Sequence, residues 1–218
     1  MKVLLFGASG MVGQGVLREC LAAADVTAVV SVVRSPTGAR HPKLRELAVP
    51  DLARLDTVAG ELQGCTACFY CIGVSSFGMA PGEYERVTYD LTLAVARIVV
   101  QLNPGLTLIY VSGAGTDSTE HGRSRWARVK GRTENALLAL PCRAYMFRPA
   151  GIRPVDGVVS KTALYRAFYW IMTPLLPLLG PILPGYLTTT RQMGHAMLEV
   201  ARHGARKPVL DTAEINAL

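Results

Sequence analysis

The stretch KVLLFGASGMVGQGVLREC places Gly7, Gly10 and Gly13 at intervals of three, directly after an apolar run and directly before a helical pattern. A strand that feeds through so tight a turn into a helix leaves the first amides of that helix unbonded, and they point beyond the carboxyl end of the strand. An anion suits that position. Each glycine has its own reason to lack a side chain. Gly7 permits the turn, Gly10 lets the backbone approach a pyrophosphate, and Gly13 lets helix and strand pack closely, which are the roles of the glycines in a dinucleotide-binding fingerprint.

The remaining pattern agrees with that start. Apolar, β-rich runs recur as KVLLFGA, VTAVVSVV, ELAVP, ACFYCIG, LTLIYVS and RAYMFRPA, with helical segments between several of them. Apolarity in the first, fourth and fifth runs is continuous rather than alternating, as expected for strands covered on both faces. GQGVLRECLAAA, EYERVTYDLTLAVARIVVQL and RWARVKGRTENALLAL read as helices, and the tail reads as a last helix followed by a short strand around Pro208 to Asp211. The expected fold class is α/β, a doubly wound parallel sheet (Rossmann fold) with a small apolar C-terminal cap. One domain over residues 1–218 is expected, with 151–190 as the substrate-side cap. Its uncharged part, AFYWIMTPLLPLLGPILPGYLTTT, is long enough to span a membrane, but Pro174, Pro177, Pro181 and Pro184 break any continuous helix, so no transmembrane span is expected. A buried cap, a homodimer face and a peripheral membrane contact stay open for it.

Lys and Arg outnumber Asp and Glu by 23 to 16, for a net charge of +7. Twelve of these 23 basic residues fall in Arg34 to Arg45, Arg123 to Arg132 and Arg202 to Lys207. The first and last of these groups have no interleaved aromatics, which argues against a nucleic-acid partner and leaves a phosphorylated small molecule. Five cysteines and the lack of a secretory leader suit a reduced, cytoplasmic protein. Cys65, Cys68 and Cys71 are spaced three apart on a strand pattern, so their side chains alternate in direction and no metal site is expected.

At the end of the second strand stands Arg34, where a dinucleotide fold contacts the adenosine ribose. A guanidinium cannot accept from a free 2′-hydroxyl but pairs well with a 2′-phosphate, which favours NADP over NAD. Arg40 and Lys43 could reinforce that contact.

In order along the chain, GASGMVG, VVRSP, PDLARLD, CIGVSS, YVSGAG, VKGRTE, FRPAGI and MGHAML resemble the atypical short-chain dehydrogenase/reductases. The particular resemblance is to the small branch of tumour-suppressor oxidoreductase-like proteins and bacterial nucleoside-diphosphate-sugar epimerase-like proteins. It implies that Gly7, Ala8, Ser9, Gly10, Met11, Val12 and Gly13 cradle the pyrophosphate and Arg34 meets the 2′-phosphate. Asp51 and Leu52 would flank the adenine, and Cys71, Ile72 and Gly73 would pass beneath the adenosine. Lys130 would hold the nicotinamide ribose, with Pro149, Ala150 and Gly151 near the nicotinamide. Ser112 and Lys130 are the candidates for chemistry.

One position departs from the family pattern. Its oxidoreductases carry a tyrosine four residues before the lysine, and this chain has Trp126, whose indole N–H is neither acid nor base near neutral pH. Ser112, His121, Tyr110 and Ser75 are the remaining hydroxyl and imidazole candidates. Two readings follow: an NADP-dependent oxidoreductase or epimerase-like enzyme acting on a small carbonyl or hydroxyl substrate, and a non-catalytic NADP-binding sensor or interaction protein.

Overall fold

The computed structural model describes residues 1–158 and 185–218. Most of the expected cap, residues 159–184, lies outside the described residues. The described part of that segment forms a two-stranded parallel sheet, β7 (Gly151–Arg153) with β8 (Leu187–Thr189).

The main sheet has seven strands in the order β3-β2-β1-β4-β5-β6-β9, every pair parallel. They are β1 (Lys2–Phe6), β2 (Ala28–Val33), β3 (Leu44–Ala48), β4 (Ala67–Tyr70), β5 (Thr107–Val111), β6 (Arg143–Arg148) and β9 (Val209–Asp211). The expected doubly wound layout is therefore present, and the short strand near Pro208 closes one edge of the sheet.

In the inner strands, alternate side chains enter opposite layers, both buried. Leu4, Phe6, Cys68, Tyr70, Leu108 and Tyr110 pack on one face with Val95, Val99 and Leu137, from helices α3 (Leu91–Leu102) and α4 (Arg125–Leu138). Val3, Leu5, Phe69, Ile109 and Phe147 pack on the other with Val16 of α1 (Met11–Ala22), Met193 and Met197 of α5 (Thr190–His203), and Ile215 of α6 (Thr212–Asn216). Burial on both faces is the physical reason the strands read as unbroken apolar runs. Cys68 and Cys71 fall in opposite layers, as their spacing predicts.

One element differs from the sequence reading, and another has no counterpart in it. The segment EYERVTYDLTLAVARIVVQL is not one regular helix: α2 (Pro81–Glu85) passes through a π-helical turn, Arg86–Asp90, into α3. PDLARLD opens a kinked 3₁₀ helix, Leu52–Leu62, in which Asp51 caps the start by accepting from the Ala53 amide at 3.0 Å.

Helices α1 and α5 approach unusually closely. A Cβ on Gly15 would stand 2.5 Å from the Thr190 carbonyl oxygen, and one on Gly194 would stand 2.7 Å from Glu19 Cγ. Among the described residues no helix is long and apolar enough to cross a membrane.

Candidate functional site

Strand order reverses between β1 and β4, and in an open parallel sheet the crevice outside the carboxyl ends at such a reversal is where ligands bind. Gly7 leaves β1 there with φ +83°. A Cβ on it would fall 2.7 Å from the Cys71 carbonyl carbon and 2.9 Å from the Ile72 amide nitrogen, so the chain leaving β4 passes directly against the turn. Gly13 lies beneath the same turn, and a Cβ there would stand 2.0 Å from the Gly7 carbonyl oxygen. These two glycines are fixed by close approach of protein to protein. Gly10 is different: its Cβ position meets only the Gly7 carbonyl oxygen, at 3.3 Å.

Gly10 caps α1 with extended backbone, no side chain bonds the first turn, and no acidic residue stands in that turn. The Gly10 amide donates to Gly7 at 2.9 Å, and the Gln14 amide is the first to reach back, to Gly10 at 2.9 Å. The amides of Met11, Val12 and Gly13 therefore precede the helix's own bonding, with a partial positive charge at its start. Ala8 is buried against this turn and Ser9 is half-buried.

Further along the carboxyl edge, a crevice is lined by Ile72, Gly73, Val74, Val87, Thr88, Tyr110 and Lys130. It joins the residues that follow β4 to Lys130 on α4. Lys130 is only 7% exposed. Its Nζ donates to the Tyr110 hydroxyl at 3.2 Å and weakly to the Val111 carbonyl at 3.5 Å, and it stands 5.1 Å from the centre of the Tyr110 ring. Burial pulls the Lys130 ammonium down to about 8, partly countered by the charge of Glu134. Lys130 is thus no solvated helix lysine paired with Glu134. That carboxylate is fully buried, and both its oxygens accept from Arg148 of β6.

The helix is shaped around this lysine. Gly131 lies under the loop that follows β5: a Cβ there would stand 1.7 Å from the Asp117 carbonyl oxygen. Asn135 holds the same loop by donating to the Ser118 carbonyl at 3.0 Å. The π turn brings Val87 and Thr88 to the crevice, and the Thr88 carbonyl accepts from the Thr133 hydroxyl at 3.3 Å.

Ser112 follows β5, half-buried, with its hydroxyl donating to the Phe147 carbonyl at 3.1 Å. Trp126 lies over the loop, its indole 3.4 Å from a Cβ position on Gly115. His121 is exposed, and Ser75 accepts from the Phe77 amide at 3.1 Å in a loop turn. Pro149, Ala150 and Gly151 follow β6 on the same edge: the Pro149 carbonyl accepts from Ala114 at 2.9 Å, Ala150 donates to the Thr212 hydroxyl at 2.9 Å, and Gly151 enters β7.

Arg34 is exposed just past β2 and makes no hydrogen bond or ion pair among the described residues. Arg40 is exposed in the same loop. Lys43 is a correction to the sequence reading: its ammonium caps the end of α1, donating to Ala23 at 2.7 Å and Leu21 at 3.2 Å, and does not reinforce Arg34. Asp51 is exposed and keeps one carboxylate oxygen outside its cap, and Leu52 is half-buried in the core.

The sequence reading missed Val74, Val87 and Thr88, and named Tyr110 only as one of several hydroxyl candidates. Its pairing with Lys130 could have been found only by knowing that β5 lies under α4. Among the described residues no group of His, Cys, Asp and Glu side chains is placed to hold a metal ion.

No protein-family model and no curated protein sequence matches the chain. Solved structures do. Gre2 of Candida albicans, in complex with NADPH, matches with TM-score 0.73 at 14% identity, over 97% of this chain and 78% of that one. UDP-glucose 4-epimerase of Thermotoga maritima, with UDP-glucose, gives TM-score 0.67 at 12% identity, over 100% and 81%. MoeE5, in complex with UDP-glucose and NAD, gives 0.67 at 18%, over 99% and 79%. These likenesses show the fold: a Rossmann-type, doubly wound α/β domain shared with nicotinamide-nucleotide and sugar-nucleotide proteins.

Proposed function

We propose that the chain is an atypical short-chain dehydrogenase/reductase that binds NADP(H), acting as an oxidoreductase or epimerase-like enzyme on a small carbonyl or hydroxyl substrate. The observation that carries this reading is the turn at Gly7 to Gly13. Backbone contacts exclude a side chain at Gly7 and Gly13, the first amides of α1 are left to a ligand, and the turn stands at the reversal of strand order. A diphosphate fits that cradle in shape and charge. When bound, the dinucleotide supplies hydride transfer at its nicotinamide ring.

The chain's own residues would divide the work along the crevice. Gly7, Ala8, Ser9, Gly10, Met11, Val12 and Gly13 hold the diphosphate, and exposed Arg34 meets the ribose phosphate. Asp51 and Leu52 flank the adenine, and Cys71, Ile72 and Gly73 line the floor. Lys130 and Ser112 face the reacting end, with Pro149, Ala150 and Gly151 beside it. The apolar segment after β7 offers few polar groups for a sugar nucleotide, which favours a small apolar carbonyl.

Trp126 supports a second reading, a non-catalytic NADP-binding sensor or interaction protein, because no tyrosine stands on α4 to relay a proton. Fluorescence titration with NADPH and NADH, followed by NADPH oxidation with small aldehydes, ketones and quinones, separates the two. Binding with turnover supports the enzyme, binding without turnover the sensor, and no binding of either nucleotide refutes both.

A further inference from the structure

We infer that Lys130 is itself the proton donor to the substrate oxygen, held in position by Tyr110 of the neighbouring strand. The inference deepens the enzymatic reading above and rests on it.

The geometry starts from a missing group. Trp126 lies over Gly115 and has no acid to offer, so a proton for a developing alkoxide must come from elsewhere in the crevice. Of the residues lining it, Lys130 and Tyr110 alone carry an ionisable side chain. Burial raises the Tyr110 phenol well above its ordinary value, and its oxygen already accepts from Lys130. It therefore keeps its proton and serves as an anchor.

An ammonium has three N–H donors. One is fixed on Tyr110, a second reaches weakly to Val111, and the third has no partner among the described residues. An amine held near 8 is still mostly protonated at neutral pH, yet gives up its proton more readily than an ordinary lysine.

The charged and titratable groups around Lys130 are few. Tyr110 faces it from β5, with Tyr70 of β4 and Tyr84 of α2 beyond that ring. Glu134 lies one turn along α4 and is committed to Arg148. Val87, Thr88 and the stretch Ile72 to Val74 bring no charge.

The step balances with a reduced nicotinamide dinucleotide as hydride donor. The carbonyl carbon gains the hydride with its electron pair, the C=O π bond opens, and Lys130 gives its proton to the oxygen. An alcohol and the oxidised dinucleotide result, and the neutral amine takes a proton from solvent.

Competitive acetylation of the protein without nucleotide, read by peptide mass spectrometry from pH 6 to 11, measures the ionisation of Lys130 directly. The expected midpoint is near 8, falling by about one pH unit in Tyr110→Phe, which keeps the ring but loses the oxygen that accepts from the ammonium. In turnover with NADPH and small aldehydes, kcat falls as pH rises through that midpoint, and the falling limb moves down with Tyr110→Phe; a merely structural role would lower kcat evenly at all pH. Lys130→Arg keeps a charge for the ribose but cannot give up its proton. It should bind NADPH within about tenfold of the parent while turnover drops by about 100-fold or more.

A Lys130 midpoint near 10, an unmoved limb in Tyr110→Phe, or full turnover by Lys130→Arg overturns the inference and leaves the nucleotide reading standing. Binding without any turnover also overturns it, in favour of the sensor. A parent protein that binds no nicotinamide nucleotide overturns both.

Discussion

Replacing Lys130 by methionine should make the protein more stable at neutral pH, although it removes the residue most central to the site. The ammonium is buried, and its fall from 10.5 to about 8 is worth about 3 kcal/mol at 1.4 kcal/mol per pH unit. At pH 7 both folded and unfolded chains carry the proton, so the folded state bears the whole cost of burying the charge. Between about pH 8 and 10.5 the folded protein is neutral at this position while the unfolded chain still holds its proton. Stability of the parent therefore rises with pH across that window, and most of the cost is gone by pH 10. Methionine has a similar length and no charge, but it leaves the Tyr110 hydroxyl without its donor, which takes back about 1 kcal/mol. The expected gain is about 2 kcal/mol at pH 7, shrinking to zero or a slight loss at pH 10. Urea denaturation of both proteins at the two pH values measures it, and groups common to both cancel in the difference. A methionine variant that is less stable than the parent by the same amount at both pH values would refute the reasoning, since it would mean that the lysine meets no desolvation cost.

Arg148→Met should cost about 3 kcal/mol or more in the same denaturation assay, because Glu134 would be left buried without its counter-ion. Gly13→Ala should lower both thermal stability and NADPH affinity, the latter by at least about tenfold, since its methyl cannot stand 2.0 Å from the Gly7 oxygen without opening the turn; differential scanning fluorimetry with and without NADPH reads both. Arg34→Asp should weaken NADPH far more than NADH in fluorescence titration, and equal losses would remove the phosphate-pairing argument. Gly131→Ala should destabilise by about 1–3 kcal/mol by forcing the loop at Asp117 off α4.

The strands and the turn were legible because their causes are local. Val3 and Leu5 face one buried layer, Leu4 and Phe6 the other, so β1 had to read as continuously apolar. Gly7 and Gly13 were legible for the same reason, as the spacing alone demanded a tight turn against a helix. The π turn left no such signature. Its wider winding places Val87 and Thr88 over Lys130, but the apolar period on either side stays helical. The role of Tyr110 was hidden because its partner lies on another element, twenty positions later in the chain. Lys43 misled because its charge was visible while its duty at the end of α1 depended on how β3 folds back. The short helix α6 went unread although its signature is local: in DTAE, Asp211 and Glu214 cap the start reciprocally.

The glycine contacts between α1 and α5 bear on how the molecule is born. Helix α1 is made long before α5, which covers its Val16 face. Until α5 emerges, the glycine turn has no cover on its outer side, and the apolar flank of α1 stands open to chaperones or to neighbouring chains. A truncated translation product that stops before Thr190 would retain every residue of the glycine loop, with Gly7 still set against Cys71 and Ile72, but would lack the helix that buries the Val16 face of α1.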